Sequence, residues 1–164
     1  DEAADPVSVQ VDVLIDAAVS LSRLGAQAKD IDIHVDMASD LPEVLVDPQG
    51  MVEVLVNLML NAVDASDTRG RVSIRARESD GGLCICVEDS GPGLAAGLAE
   101  KVFEPFYTTK DAANGTGLGL SVARRVVEAH GGELTYQSGT SGGACFVMSI
   151  PLTSDAVPQE DALG

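Results

Sequence analysis

The sequence predicts an α/β two-layer sandwich: a mixed, mostly antiparallel sheet covered on one face by three helices, with one long glycine-rich loop. Three observations carry this. Stretches of helical period are interleaved with short runs of period two. One of those runs is apolar on both faces, as a covered central strand requires. Residues 90–119 hold six glycines and no sustained period.

The elements follow in order. Residues 1–7 read as a leader, 8–152 as one domain and 153–164 as a flexible polar tail. Val13 to Lys29 reads as a helix, with Leu14, Ala17, Ala18, Leu21 and Leu24 at helical spacing. Ile31, Ile33, Val35 and Met37 alternate with Asp32, His34 and Asp36, the pattern of a half-buried strand. Asp47-Pro48 is a capping residue followed by proline at the first helical position, and the helix it opens runs to about Ser66. A strand with one wet face covers 71–77, and the doubly apolar strand covers 83–87. The glycine-rich loop is long enough to require a function. A third helix spans Leu118 to His130 and ends at Gly131-Gly132. Two strands, 133–138 and 144–150, close the domain before Pro151.

Composition narrows the function. The chain has 164 residues, one domain's worth, and a formal net charge of -16 with only ten Lys and Arg. Phosphate-backbone binding requires clustered cations, so nucleic acid is excluded as a partner. No stretch has the roughly 20 apolar residues of a membrane span, so no membrane contact is expected of this chain. Cys84, Cys86 and Cys145 lie in strand-like runs and read as small buried hydrophobes, in keeping with a reducing cytoplasm.

Three segments carry chemistry. In EVLVNLMLNAVDA (53–65), Glu53, Asn57, Asn61 and Asp64 recur on one face of an otherwise apolar helix. Asparagine is a mediocre helix former, so a polar stripe there points to a ligand, and an amide oxygen suits Mg²⁺. The apolar strand ends in Glu88-Asp89-Ser90-Gly91-Pro92-Gly93, a carboxylate able to accept from a planar ligand edge beside glycines that permit close approach. Last come Phe103-Glu104-Pro105-Phe106-Tyr107-Thr108-Thr109-Lys110 and Asn114-Gly115-Thr116-Gly117-Leu118-Gly119-Leu120. The alternate glycines directly precede a helix, whose exposed N–H groups form an anion site. This is neither a Walker loop nor a dinucleotide motif. Phe103, Phe106 and Tyr107 suggest anchors for a closing loop or a docking patch.

In this order the segments resemble the four boxes of sensor histidine kinase catalytic domains: EVLVNLMLNAVDA the asparagine box, DSGPG and GTGLGL the two glycine boxes, and VFEPFYTTK the phenylalanine box. The NAVDA and FEPFYTTK versions are most similar to the nitrogen-regulation and dicarboxylate-sensing branch. The resemblance implies the Bergerat fold, ATP and Mg²⁺ as cofactors, and roles for residues. Asn61 would coordinate the metal, with Asn57 assisting at the phosphates and Asp64 in the same site. Asp89 would accept from the adenine amino group while Gly91 and Gly93 shape the base pocket. Residues 95–119 would form an ATP lid in which Gly115, Thr116, Gly117, Leu118 and Gly119 meet the phosphates and Lys110 reaches the γ-phosphate. Two positions depart from the pattern. Asp64 stands where many kinases have a basic residue, leaving phosphate charge to Lys110 or Arg124, and Ala144 stands where many have threonine.

The implied activity is transfer of the γ-phosphate to a histidine on a separate dimerisation domain, with a response regulator served indirectly. In clamp-type ATPases of this fold a glutamate base stands one turn before the metal asparagine. Here that position is Asn57, which takes no proton near neutral pH, so hydrolysis should be slow. Neither His34 nor His130 is followed by the acidic residue of the family's acceptor helix. The alternatives are an anti-sigma-type serine kinase of the same fold and a nucleotide-binding signalling module without catalysis. The expected location is cytoplasmic, with inner-membrane anchoring of the full-length protein left open.

Overall fold

The computed structural model describes residues 4–107, 119–140 and 142–152. The elements run β1 (Val7–Val9), α1 (Val11–Ala28), β2 (Asp32–Met37), β3 (Val44–Val46), α2 (Pro48–Ala65), β4 (Arg71–Ser79), β5 (Gly82–Asp89), a 3₁₀ turn (Lys101–Phe103), α3 (Gly119–Ala129), β6 (Glu133–Ser138) and β7 (Ala144–Pro151). The main sheet has the order β2-β4-β5-β7-β6, parallel only between β2 and β4. All three helices cover one face, as the sequence predicts. The pairing of β1 with β3 in a separate antiparallel ribbon was not foreseen, and it takes Val7 out of the expected leader.

The sheet's centre is the strand that reads as doubly apolar. Leu83, Ile85 and Val87 of β5 point into the helix layer and are buried. Asp80 and Gly81, both at positive φ, join β4 to β5 in a two-residue turn, which sets the register Ser79↔Gly82 along the whole hairpin. The opposite faces of Cys84 and Cys86 are only half-buried, and of the three cysteines Cys145 alone fits the sequence-based expectation of burial. Two-period strands leave alternate residues on the uncovered face, whatever their polarity.

Helix α2 is the hub. Met51, Leu55, Leu58 and Met59 are fully buried between α1, α3 and the sheet. Each contributes roughly 1.5–3 kcal/mol by burial. The Asp47 side chain accepts from Gln49 N at 3.1 Å, as the Asp-Pro cap predicts. At the other end Lys29 Nζ donates to the carbonyls of Val63, Asp64 and Ser66 at 3.0, 3.2 and 2.6 Å. These satisfy orphan carbonyls of the last turn and fix where the helix ends.

Helix α1 corrects one reading. Its buried stripe is Val11, Leu14, Ile15, Ala18, Val19, Ser22 and Ala26, while Leu21 is 65% and Leu24 81% exposed. Apolar residues on both sides give the same period, and contact with α2 selects the face that carries the β-branched residues.

Candidate functional site

The end of β5 is where the chain commits a charge to the interior. Asp89 is 3% exposed, and its Oδ1 accepts from Gly91 N at 2.9 Å and Ala144 N at 3.2 Å. Burial pushes its carboxyl above the usual carboxylate range, against the two backbone donors and with a further push from neighbouring Glu88. Among the described residues both bonds fall on Oδ1.

Close backbone packing shapes this end. A Cβ on Gly91 would collide with the Ala65 carbonyl, and one on Gly143 with the backbone and side chain of Asp89. Gly93 lies at φ +76° against Gly142 O. The last turn of α2, the strand end and the β6–β7 turn therefore meet around one carboxylate. Tyr136 Oη accepts from Leu94 N at 3.1 Å and holds the loop that leaves Gly93.

Glu88, next along, has the opposite employment. Its Oε1 takes Arg75 Nη2 at 2.9 Å, and its Oε2 takes Thr140 N and Thr140 Oγ1 at 3.0 Å each. It ties the β6–β7 turn to β5 and is consumed in doing so. Gly143, Thr140 and Tyr136 were not identified from the sequence. The Gly142-Gly143 pair before β7 was the available signal, but its partner Asp89 lies 55 residues from Ala144.

About two turns back along the site, Asn57 and Asn61 are half-buried on the α2 face that also carries exposed Glu53 and Asp64. No described residue hydrogen-bonds to either amide. Gly119, the first residue of α3, faces Asn57: a Cβ there would lie 3.7 Å from Asn57 Oδ1. The structure thus brings Asn57 and Gly119 together, with Asn61 one turn on along α2, and groups Asp89, Gly91 and Gly93 at the end of β5. Lys110, Gly115, Thr116, Gly117 and Leu118 lie outside the described residues.

The aromatic segment divides. Phe103 is 6% exposed and packs edge-on against Phe146 with ring centroids 5.9 Å apart, with the Arg124 guanidinium 4.3 Å over its ring. It is core, and the expectation that it joins a docking patch is corrected. Arg124 is likewise engaged, bonding Glu100 at 2.9 Å and Glu128 at 3.5 Å, which argues against its role as a phosphate partner. Glu100 holds its guanidinium protonated more firmly than usual. Phe106 is the reverse: 74% exposed at φ +68°, a strained backbone for a bulky residue. Tyr107 is half-buried, with Lys101 Nζ 5.8 Å from its ring.

The two histidines differ in setting. His34 is exposed on the edge strand β2. His130 shares Nδ1 with Val126 O at 2.8 Å and accepts from Asp47 N through Nε2 at 3.1 Å, so it joins the end of α3 to the start of α2.

Residues 46–154 match the family described as histidine kinase-, DNA gyrase B-, and HSP90-like ATPase. The chain belongs to this family. It is 39% identical over 145 residues to the sensor histidine kinase ZraS of Escherichia coli O157:H7, which covers 88% of the chain but 31% of that protein. The chain therefore spans about a third of the length of such a relative. The catalytic domain of the histidine kinase ThkA superimposes with TM-score 0.84 at 30% identity, covering 93% of this chain and 99% of that one. Full-length ShkA in complex with AMPPNP matches with TM-score 0.80 at 29% identity, over 92% of this chain and 32% of that chain. The family's fold, three helices over a mixed, mostly antiparallel sheet, is the one described above. No described helix is long and apolar enough to cross a membrane.

Proposed function

We propose that this chain is the catalytic domain of a sensor histidine kinase, binding Mg-ATP and passing the γ-phosphate to a histidine on a separate dimerisation domain. The observation that carries this reading is Asp89: a buried carboxylate at the end of the central strand, fixed through Oδ1 by two backbone N–H groups and bordered by glycines that let a planar ligand approach. Adenine supplies an amino donor at its edge, and such a site rejects a base that presents an acceptor instead. The likeness to a kinase crystallised with an ATP analogue supports the same choice.

The phosphate end follows from α2. Asn61, with Asn57 beside it, would hold Mg²⁺: half-buried amide oxygens without partners among the described residues are hard donors, and this ion binds through few protein groups plus phosphates. When bound, the ion neutralises phosphate charge. The chain's own contribution is to position the amides and the start of α3, whose N–H groups favour anions. Asp64, on the same face, adds no positive charge, so that task falls to Lys110 and the glycine-rich segment Gly115–Gly119. Asn57 in the base position disfavours attack by water and leaves the phosphoryl group for a protein nucleophile. Where many relatives carry threonine, Ala144 brings no hydroxyl, and only its backbone N–H reaches Asp89.

Phe106 is the residue proposed to dock on the acceptor domain, since a strained, exposed aromatic buries area only against a partner. The catalytic domain occupies 8–152 with β1 extending it to Val7, the leader precedes it, and the tail follows. Cytoplasmic location and service to a response regulator belong to the same reading.

The test is transfer of label from γ-labelled ATP to a separately supplied acceptor domain. The parent chain labels the acceptor and not itself. Asn61→Ala abolishes transfer, and Phe106→Ala slows it while leaving nucleotide affinity intact. Acid-labile label on the chain itself, lost on changing His34 or His130, contradicts the reading.

A further inference from the structure

The uncovered face of the sheet carries a cluster that the nucleotide site does not use. On β5, Cys84 and Cys86 point away from the helices, and Cys145 of β7 shares that face one register step away, opposite Glu88. On the other side β4 places Arg75 opposite Cys86 and Arg77 opposite Cys84. Three thiols thus lie together on an open face, beside Arg77 and beside Arg75, whose guanidinium is paired with Glu88 on the same face, with one thiol buried and two reachable from solvent. Reactive cysteines occupy this kind of setting: near a guanidinium, partly exposed and close to a second thiol.

We propose that Cys86 and Cys145 form a reversible dithiol–disulfide site, oxidised by hydroperoxides, that controls the Asp89 pocket. The control half of this rests on the nucleotide reading above; the thiol half does not. Cys86 is the attacking thiol. Its hydrogen bond with Cys145 lowers it to about 6, assisted by Cys84 and by the charges of Arg75 and Arg77, and opposed by burial. The same bond pushes Cys145 up, with burial and the Cys86 charge adding to it, so Cys145 keeps its proton until Cys86 reacts.

The chemistry balances with one peroxide. The Cys86 thiolate attacks one oxygen of hydrogen peroxide; the S–O bond forms as the O–O bond breaks, and hydroxide leaves. Cys86 is then a neutral sulfenic acid, and the charge that held the Cys145 proton is gone. Cys145 sulfur attacks Cys86 sulfur, the S–S bond forms, and the sulfenic hydroxyl leaves with the Cys145 proton as water. Two thiol sulfurs have lost two electrons in total, and one peroxide has become water and hydroxide. Dithiothreitol reverses the oxidation by exchange.

The link to the pocket is covalent and short. Cys145 directly follows Ala144, whose N–H bonds Asp89 Oδ1, and Cys86 is three residues before Asp89 on the same strand. Cys86 and Cys145 are diagonal, not opposite, in the β5–β7 register. A disulfide requires Cβ atoms about 3.8 Å apart, so closing it must draw the β7 start along β5 and disturb the Ala144–Asp89 contact.

The experiment compares the reduced chain, the chain treated with hydrogen peroxide, and the treated chain after dithiothreitol. Peptide mapping should find a Cys86–Cys145 disulfide after peroxide and none after reduction. In Cys145→Ser the Cys86 sulfenic acid should persist and be trapped by dimedone, and in Cys86→Ser neither product should form. Calorimetry with ADP should show at least a severalfold loss of affinity on oxidation, restored by dithiothreitol and absent in Cys145→Ser. Oxidation that falls first on Cys84, or a Cys86–Cys145 bond that leaves ADP affinity unchanged, overturns the proposal. If the reduced chain binds no ADP, the nucleotide reading fails by itself, and the mapping still decides the thiol chemistry.

Discussion

At one end of the site, Asp89 is almost fully buried, bonded twice through backbone, and hemmed in by glycines that leave no room for a side-chain carbon. At the other, Asn57 and Asn61 stand half-exposed on α2 without a described partner, Asn57 facing the first residue of α3. The base end is complete before a ligand arrives. The phosphate end is left for ions and phosphates to complete. A preformed pocket confers selectivity because its fixed carboxylate cannot turn away from a mismatched base, whereas an open amide pair takes its shape from what binds.

Changes at the two ends should therefore fail in different ways. The largest effect is expected in the shared core: Phe103→Ala removes a ring packed on Phe146 and should cost about 3–5 kcal/mol in denaturant unfolding. Phe106→Ala, three residues on, should stay within about 0.5 kcal/mol of the parent. Equal losses at both positions would erase the distinction between core and docking aromatic.

Gly91→Ala comes next. Its Cβ meets the Ala65 carbonyl, so α2 and the strand end must part, and adenine affinity should fall roughly tenfold or more as the carboxylate moves. Gly119→Ala has ordinary contact distance to Asn57 and should leave adenine binding nearly untouched. A reversed order would mean that the phosphate end is the rigid one.

The smallest effect concerns stability against pH. Burial raises the Asp89 carboxyl above its unfolded value, so the folded state holds that proton more tightly. The contribution is favourable while the group is protonated. It is lost as pH rises from the ordinary carboxylate value through the raised one, and the penalty persists at neutral pH. Asp89→Asn keeps an oxygen for Gly91 N and Ala144 N but buries no charge. It should raise the neutral-pH thermal midpoint. A midpoint that falls would show that the charge itself is needed to hold the strand end.

The same contrast explains what the sequence made legible. Helix α2 was readable because its cap, its proline and its polar stripe are all local, and the stripe survives as the Asn57–Asn61 face. Most of the surroundings of Asp89 were not, because Gly143 and Thr140 arrive from the far end of the chain through strand pairing, and of that segment only Ala144 was singled out. Three-residue strands such as β1 and β3 are too short to show a period. The buried side of α1 is decided by contact with α2, which Leu21 and Leu24 do not reveal. The cysteines look like any small apolar residue in a strand until the pairing shows which face they occupy.

Titration calorimetry of the parent chain with ATP and with GTP, repeated on Asp89→Asn, tests most directly whether a preformed carboxylate reads the base. The parent should bind ATP at least tenfold more tightly than GTP, because guanine sets a carbonyl against the carboxylate where adenine offers an amine. Asp89→Asn should lose most of that preference while remaining folded. Equal affinity of the parent for the two nucleotides would contradict the account.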